Sequence, residues 1–142
     1  MAGGSLGQGR ALIVLDTSAI FALLNRKDPD HERVKKAFLE DRGPYLVPVA
    51  ILAEITYLAR RRLGYEALAS FLKELEEGKL APEYHPDDIA RARELVSRYR
   101  DLPLSFADAM VIAAAERNGG RVLALDSDFK VVAREGTITV LP

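Results

Sequence analysis

The sequence contains no cysteine, which excludes a disulfide framework, a thiolate metal site and a cysteine nucleophile. Its two histidines, His31 and His85, stand in no pairing that indicates a metal site. No apolar run approaches the ~20 residues that a membrane-spanning helix needs. The first ten residues, MAGGSLGQGR, lack the apolar segment of a secretory signal, so we expect a flexible leader over 1–10 and a single domain over 11–142. These absences predict a cytoplasmic protein with no membrane partner.

The chain also lacks an excess of charge of either sign. It has 20 lysines and arginines against 21 aspartates and glutamates, for a net charge of −1. A domain that grips nucleic acid over its whole surface would be more basic, so any contact with a polyanion must be local or assisted by a metal ion. With 49% hydrophobic and 29% charged residues among 142, the composition is that of a globular domain that buries a core.

Short apolar segments alternate with helical patterns along the chain. The predicted strands are about 11–16, 45–48, 79–85, 121–126 and 138–142, and the predicted helices are about 17–24, 28–41, 49–63, 65–77, 86–100 and 105–118. This alternation predicts a three-layer α/β/α sandwich around a parallel, five-stranded sheet. The first and fourth strands are almost wholly apolar, which is typical of central strands. In such sheets the ligand crevice lies beyond the carboxyl ends of the strands, where the strand order reverses.

Acidic residues stand where the two predicted central strands end. LIVLD ends at Asp16 and VLALD ends at Asp126, with Asp128 two residues further on. Two more acids, Glu54 in VAILAEITYLA and Asp108 in SFADAMVIAAA, lie in apolar helical segments without a local basic partner. An acid on an apolar face is costly without a compensating partner.

Convergence of these acids would need a cation. Two carboxylates 4 Å apart repel by about 4 kcal/mol at an effective dielectric of ~20. A bound divalent ion would remove that repulsion, and ligation by oxygen alone favours Mg²⁺ or Mn²⁺. Each acid also has a structural explanation: Asp16 as a helix N-cap, Asp108 in a capping box with Ser105, and Asp126 and Asp128 in the turn DSDF. The explanation is weakest for Glu54, which stands in the second turn of its helix, where the helix dipole helps little. Four independent caps are a poor explanation of the whole set.

Three segments, taken in order, resemble the PIN-domain nucleases, and specifically the VapC-type toxins of type II toxin–antitoxin pairs. They are VLDTSAIFALLNRKDPDHERV, VAILAEITYLARRR and LSFADAMVIAAAERNGGRVLALDSDF. By this resemblance, the catalytic and metal-binding carboxylates are Asp16, Glu54, Asp108 and Asp126, an additional metal-binding acid is Asp128, and the supporting polar residues are Thr17, Ser18 and Ser105. The family fold is a five-stranded parallel α/β/α sandwich, in agreement with the fold that the pattern predicts.

The resemblance implies a Mg²⁺- or Mn²⁺-dependent endoribonuclease that hydrolyses RNA phosphodiester bonds. It also implies a small cognate antitoxin and a homodimer. The candidates to bind RNA phosphates are three arginines at the end of the Glu54 helix, Arg60, Arg61 and Arg62. Their alternative role is that of solvent-exposed positive charges, which are favourable at a helix C-terminus. The alternative function is a non-catalytic PIN-like RNA-binding or regulatory module.

Overall fold

The structure, a computed structural model, describes residues 12–142. The expected leader over 1–10 and the first residue of the expected domain lie outside the described residues. The described chain forms one sheet of five parallel strands in the order β3-β2-β1-β4-β5. The strands are β1 (Ile13–Leu15), β2 (Tyr45–Pro48), β3 (Leu80–Glu83), β4 (Arg121–Leu123) and β5 (Thr139–Leu141).

Helices and shorter turns connect the strands. The helices are α1 (Thr17–Leu24), α2 (His31–Leu39), α3 (Leu52–Leu58), α4 (Tyr65–Glu76), α5 (Asp88–Arg98), α6 (Phe106–Arg117) and α7 (Asp128–Val132). A 3-10 turn (Val49–Ile51) precedes α3, a π-helical turn (Ala59–Leu63) continues it, and a second 3-10 turn (Ala133–Glu135) follows α7. The predicted α/β/α sandwich with a parallel five-stranded sheet is confirmed. No helix within residues 12–142 is long and apolar enough to cross a membrane.

The strand order reverses between β1 and β4. The chain runs outward from β1 to β2 and β3, then crosses to the other side of β1 to form β4 and β5. Leu15 at the end of β1 is paired with Leu123 at the end of β4. The segments that follow these two strands therefore emerge side by side, at the position where open α/β sheets hold their ligands.

The core explains why these strands are central. Ile13, Val14 and Leu15 are at most 1% exposed, as expected for a strand covered on both faces. Helix α6 contacts β1, β2 and β4 and packs against α5, and it is buried continuously over residues 109–115. Since apolar burial stabilises by about 25 cal/mol per Å², this sheet and α6 form the stable base of the loops above them.

Most predicted elements are longer than the observed ones, and two of the differences affect the edge of the sheet that holds the acids. Strand β4 ends at Leu123 instead of Asp126, because the amide of Leu125 bonds to the Ser18 hydroxyl and leaves the ladder. The predicted helix 49–63 is three consecutive segments, of which only Leu52–Leu58 is α-helical. Both differences reposition side chains at the carboxyl edge of the sheet.

Candidate active site

Asp16 immediately follows β1 and caps helix α1. Its Oδ2 accepts hydrogen bonds from the Ser18 backbone N–H at 3.2 Å and from the Ser18 hydroxyl at 2.7 Å. The residue is only 3% exposed, and burial raises the pKa of its carboxyl group. Its other oxygen, Oδ1, is buried and has no hydrogen-bond partner among residues 12–142. One oxygen therefore caps the helix, and the other has no partner among these residues.

Ser18 joins the ends of the two central strands. Its hydroxyl donates to Asp16 and accepts a hydrogen bond from the Leu125 N–H at 2.9 Å. This contact fixes the loop after β4 against the first turn of α1. Asp126, the next residue, is thereby held at the same edge as Asp16, although it lies three residues beyond the end of its strand.

Asp126 and Asp128 form a tight turn at the start of α7. Asp126 is exposed, and its Oδ1 accepts a hydrogen bond from the Asp128 N–H at 2.9 Å. Partial burial and the neighbouring Asp126 charge both raise the pKa of Asp128. These acids therefore form the predicted turn and also lie at the same edge of the sheet as Asp16.

Asp108 lies in the first turn of α6. The Ser105 hydroxyl caps this helix by accepting a hydrogen bond from the Asp108 N–H at 3.0 Å. Burial, followed by the charges of Asp16, Asp126 and Asp128, raises the pKa of Asp108 to about 7. Carboxylate oxygens of Asp108, Asp126 and Asp128 lie within 4.8 Å of one another. These three acids are the tightest group at the site.

Glu54 reaches the same cleft from α3. The expectation that it lies on an apolar face is wrong, because the side chain is exposed. Its Oε1 accepts a hydrogen bond from the Thr17 hydroxyl at 2.9 Å. Thr17 is thus the partner that the local sequence could not supply. Glu54 and Asp16 line the cleft but lie outside the group of Asp108, Asp126 and Asp128.

The cleft has a volume of about 440 Å³. It is lined by Asp16, Thr17, Ser18, Phe21, Asp28, Glu54, Leu58, Arg62, Ser105, Ala107, Asp108, Leu125 and Asp126. Of the three candidate arginines, Arg62 lines this cleft, whereas Arg60 and Arg61 line a separate depression with Thr56, Tyr57 and Leu68.

Sequence reasoning missed Asp28. This residue precedes α2, and its Oδ1 accepts a hydrogen bond from the Asp30 N–H at 2.8 Å. The sequence signal was the turn DPD, which has an ordinary explanation as the start of a helix. Only the packing of α1 and α2 brings this acid to the cleft.

The donor set fits a hard divalent cation. No histidine lines the cleft within the described part of the chain, so the available ligands are carboxylate and hydroxyl oxygens, which Mg²⁺ and Mn²⁺ prefer. The buried Oδ1 of Asp16 has no partner there, and the pKa of Asp108 is raised first by burial and then by the charges of the neighbouring carboxylates. A bound cation would give the Asp16 oxygen a partner, and it would reduce the repulsion between the carboxylates around Asp108.

Comparison with known proteins identifies the family of the chain. The family model for the PIN domain matches residues 13–135. The chain is 31% identical over 136 residues to Ribonuclease VapC26 of Mycobacterium tuberculosis (strain ATCC 25618 / H37Rv), a match that covers 92% of this chain and all of the relative.

Solved structures give the same result. The crystal structure of Mycobacterium tuberculosis VapC20, described as a sarcin-ricin loop cleaving toxin, superposes with a TM-score of 0.76 and 25% identity, covering 84% of this chain and 94% of that one. FitAcB from Neisseria gonorrhoeae superposes with a TM-score of 0.63 and 21% identity, covering 92% and 97%, and supports the fold alone. The chain belongs to the PIN domain family.

Proposed function

We propose that this chain is an RNA-cleaving hydrolase, a divalent-metal-dependent endoribonuclease that acts as the toxin of a toxin–antitoxin pair. The similarity to Ribonuclease VapC26 extends over almost the whole chain, and VapC20, which has the same fold, is described as a toxin that cleaves RNA. The observation that carries the proposal is the buried, unpartnered Oδ1 of Asp16, which lines the same cleft as three other acids of the predicted set.

The catalytic residues we propose are Asp16, Glu54, Asp108 and Asp126, which hold Mg²⁺ or Mn²⁺ together with Asp128. When bound, such an ion polarises a phosphodiester and lowers the pKa of a water molecule. The ion-binding geometry depends on hydroxyl groups: Ser18 orients Asp16, Thr17 orients Glu54, and Ser105 fixes the first turn of α6.

Two of these acids, Asp126 and Asp128, have a second proposed role. Asp126 is exposed and Asp128 is partly buried, so both carboxylates lie where water can reach them. We propose that one of these two carboxylates accepts a hydrogen bond from the attacking water and so orients it toward the phosphorus. No side chain of the cleft is then required as a nucleophile, in agreement with the absence of cysteine.

The partners follow from the proposed toxin role. We propose that a small cognate antitoxin covers the cleft, that the toxin is a homodimer, and that it acts on RNA in the cytoplasm. Large apolar side chains exposed on α3 and α4, namely Tyr57, Tyr65 and Leu72, offer a surface for protein contact. Light scattering of the purified chain tests the dimer, and a monomeric mass would overturn it.

Incubation of the purified chain with labelled RNA tests the proposed activity. The RNA should be cleaved with Mg²⁺ or Mn²⁺, spared after chelation, and cleaved again when the ion is restored. Binding of the same RNA is measured in parallel by fluorescence anisotropy. Binding without cleavage of any RNA pool would identify the chain as the alternative, a non-catalytic RNA-binding module.

A further inference from the structure

Arg62 is the single cation among the described residues that line the cleft. The acids that share this lining are Asp16, Asp28, Glu54, Asp108 and Asp126. An RNA strand approaching them meets strong repulsion, which a bound divalent ion offsets only in part. A positive side chain at this position can attract a phosphate where the acids of the cleft repel it.

The π-helical turn brings Arg62 to the cleft. The Gly64 N–H donates to the Ala59 carbonyl five residues back, at 3.0 Å. In a continuous α-helix, position 62 would lie about 80° around the axis from position 54, since each residue rotates by ~100°. The wider turn rotates each residue by less, which returns Arg62 toward the side of Glu54 and Leu58. Inserted turns of this kind are frequent at functional sites.

Phe21 supports the guanidinium group. The Arg62 Cζ lies 5.9 Å from the centroid of the Phe21 ring, a cation–π distance. Phe21 projects from α1 and packs against the core. Among residues 12–142 no carboxylate forms an ion pair with Arg62, so its guanidinium N–H groups are free to donate to a ligand while the group lies over the ring. Arg60 instead lies over Tyr65, 5.8 Å from its centroid, away from the acids.

We propose that Arg62 binds a non-bridging oxygen pair of a substrate RNA phosphate in the cleft, and that Phe21 is the positioning residue that aims it. This inference rests on the proposed ribonuclease function. A guanidinium offers five donors in a plane and no acceptor, which matches a phosphate. A contact to a phosphate gives no selectivity among bases. Arg62 therefore contributes affinity for the RNA backbone close to the scissile bond.

Charge-removing variants of two neighbouring arginines test this role. R62Q and R61Q make the same change of charge in the same turn, but Arg61 lies outside the cleft. For a short RNA substrate with Mn²⁺, R62Q should raise KM by about 10- to 100-fold, the effect of losing hydrogen bonds to a charged group, and R62K should recover part of it. R61Q should change KM by less than twofold. F21L should raise KM by about 2- to 5-fold, as loss of a cation–π contact predicts.

Binding measurements separate this inference from the proposed function. RNA affinity is measured in a D16N background, so that no cleavage interferes, and Mn²⁺ affinity is measured by calorimetry in the Asp16-containing proteins. R62Q should weaken RNA binding and lower the slope of log K against log salt by about 0.7, the value for one phosphate contact on a single strand. Its Mn²⁺ affinity should be unchanged or higher, whereas a merely structural role would lower it.

The outcomes are distinct. If the wild type cleaves RNA and R62Q resembles R61Q in KM and in RNA affinity, the ribonuclease function stands and the role of Arg62 is wrong. If the wild type neither cleaves nor binds RNA, both are wrong. If it binds without cleaving, a selective loss of affinity in R62Q still supports the phosphate contact, and equal affinities overturn it.

Discussion

The Thr17 hydroxyl donates a hydrogen bond to Glu54 Oε1 at 2.9 Å, and this contact joins the first turn after β1 to helix α3. The two residues are 37 positions apart in sequence. Thr17 therefore holds an exposed acid in a fixed position at the cleft, without the burial that fixes Asp16.

Thr17→Val should weaken the site more than it weakens the fold. Loss of a hydrogen bond that orients a metal ligand typically lowers metal affinity by about 10- to 100-fold, whereas loss of one hydrogen bond at a half-buried residue costs the fold about 0.5–1.5 kcal/mol. Calorimetric titration with Mn²⁺ measures the first effect, and thermal unfolding measures the second. Thr56→Val is the matched control, because the Thr56 hydroxyl donates to the Leu52 and Ala53 carbonyls of its own helix. Equal Mn²⁺ affinity in both variants would contradict the role assigned to Thr17.

Ser18→Ala should destabilise the protein. The serine hydroxyl serves both Asp16 and the Leu125 N–H. Its removal takes one of two hydrogen bonds from the buried Asp16 carboxylate and leaves the half-buried Leu125 N–H without its partner, at a cost of about 1–3 kcal/mol. Chemical denaturation gives the free energy of unfolding. Ser127→Ala is the control, since the Ser127 side chain forms no cap hydrogen bond with α7. A Ser18→Ala variant as stable as this control would mean that the loop after β4 is held by other contacts.

The raised pKa of Asp108 makes the metal-free protein less stable at higher pH. Its pKa is about 7 in the fold against 3.8 for an ordinary aspartate, so between these values the folded state holds a proton that the unfolded state has released. Stability due to this group is therefore fully present below about pH 4 and is lost as pH rises to about 7. Asp108→Asn removes this loss, and with EDTA its melting temperature should exceed that of the wild type at pH 8 while approaching it at pH 5. A wild type that melts higher than the variant at pH 8 without metal would contradict a raised pKa of Asp108 in the fold.

Metal binding should become weaker as the pH falls. A cation competes with the proton on Asp108, so Mn²⁺ affinity should fall by about tenfold per pH unit below the pKa of about 7. Calorimetry in two buffers of different ionisation enthalpy counts the protons released. Release of close to one proton at pH 6 is expected, and Asp108→Asn should abolish both the release and most of the affinity. Affinity that stays constant from pH 5 to pH 8 would exclude Asp108 as a ligand.

Much of the architecture could be predicted from local patterns. The apolar strand ending at Asp16, and the alternation of strands and helices, specify a parallel sheet with a known functional edge. Asp16 was open to interpretation as a cap or as a ligand, and the structure shows why both were reasonable: Oδ2 caps α1, and Oδ1 has no partner among the described residues.

The rest depends on contacts between distant segments. The partner of Glu54 is Thr17, which no helical spacing could indicate. Asp28 reaches the cleft only through the packing of α1 and α2. The π turn that separates Arg62 from Arg60 and Arg61 has no clear signature in ARRRL, because a run of arginines is equally suited to an ordinary helix C-terminus.

The most direct test of the account is RNA cleavage by Asp16→Asn in the presence of Mn²⁺. Asparagine is as good an N-cap as aspartate, so the variant should keep a melting temperature close to that of the metal-free wild type. The account predicts a folded protein whose Mn²⁺-dependent cleavage is lowered by at least about 100-fold, given that loss of a mere supporting group lowers metal affinity or activity by 10- to 100-fold. A folded variant that cleaves RNA at the wild-type rate would contradict the assignment of Asp16, and with it the metal site.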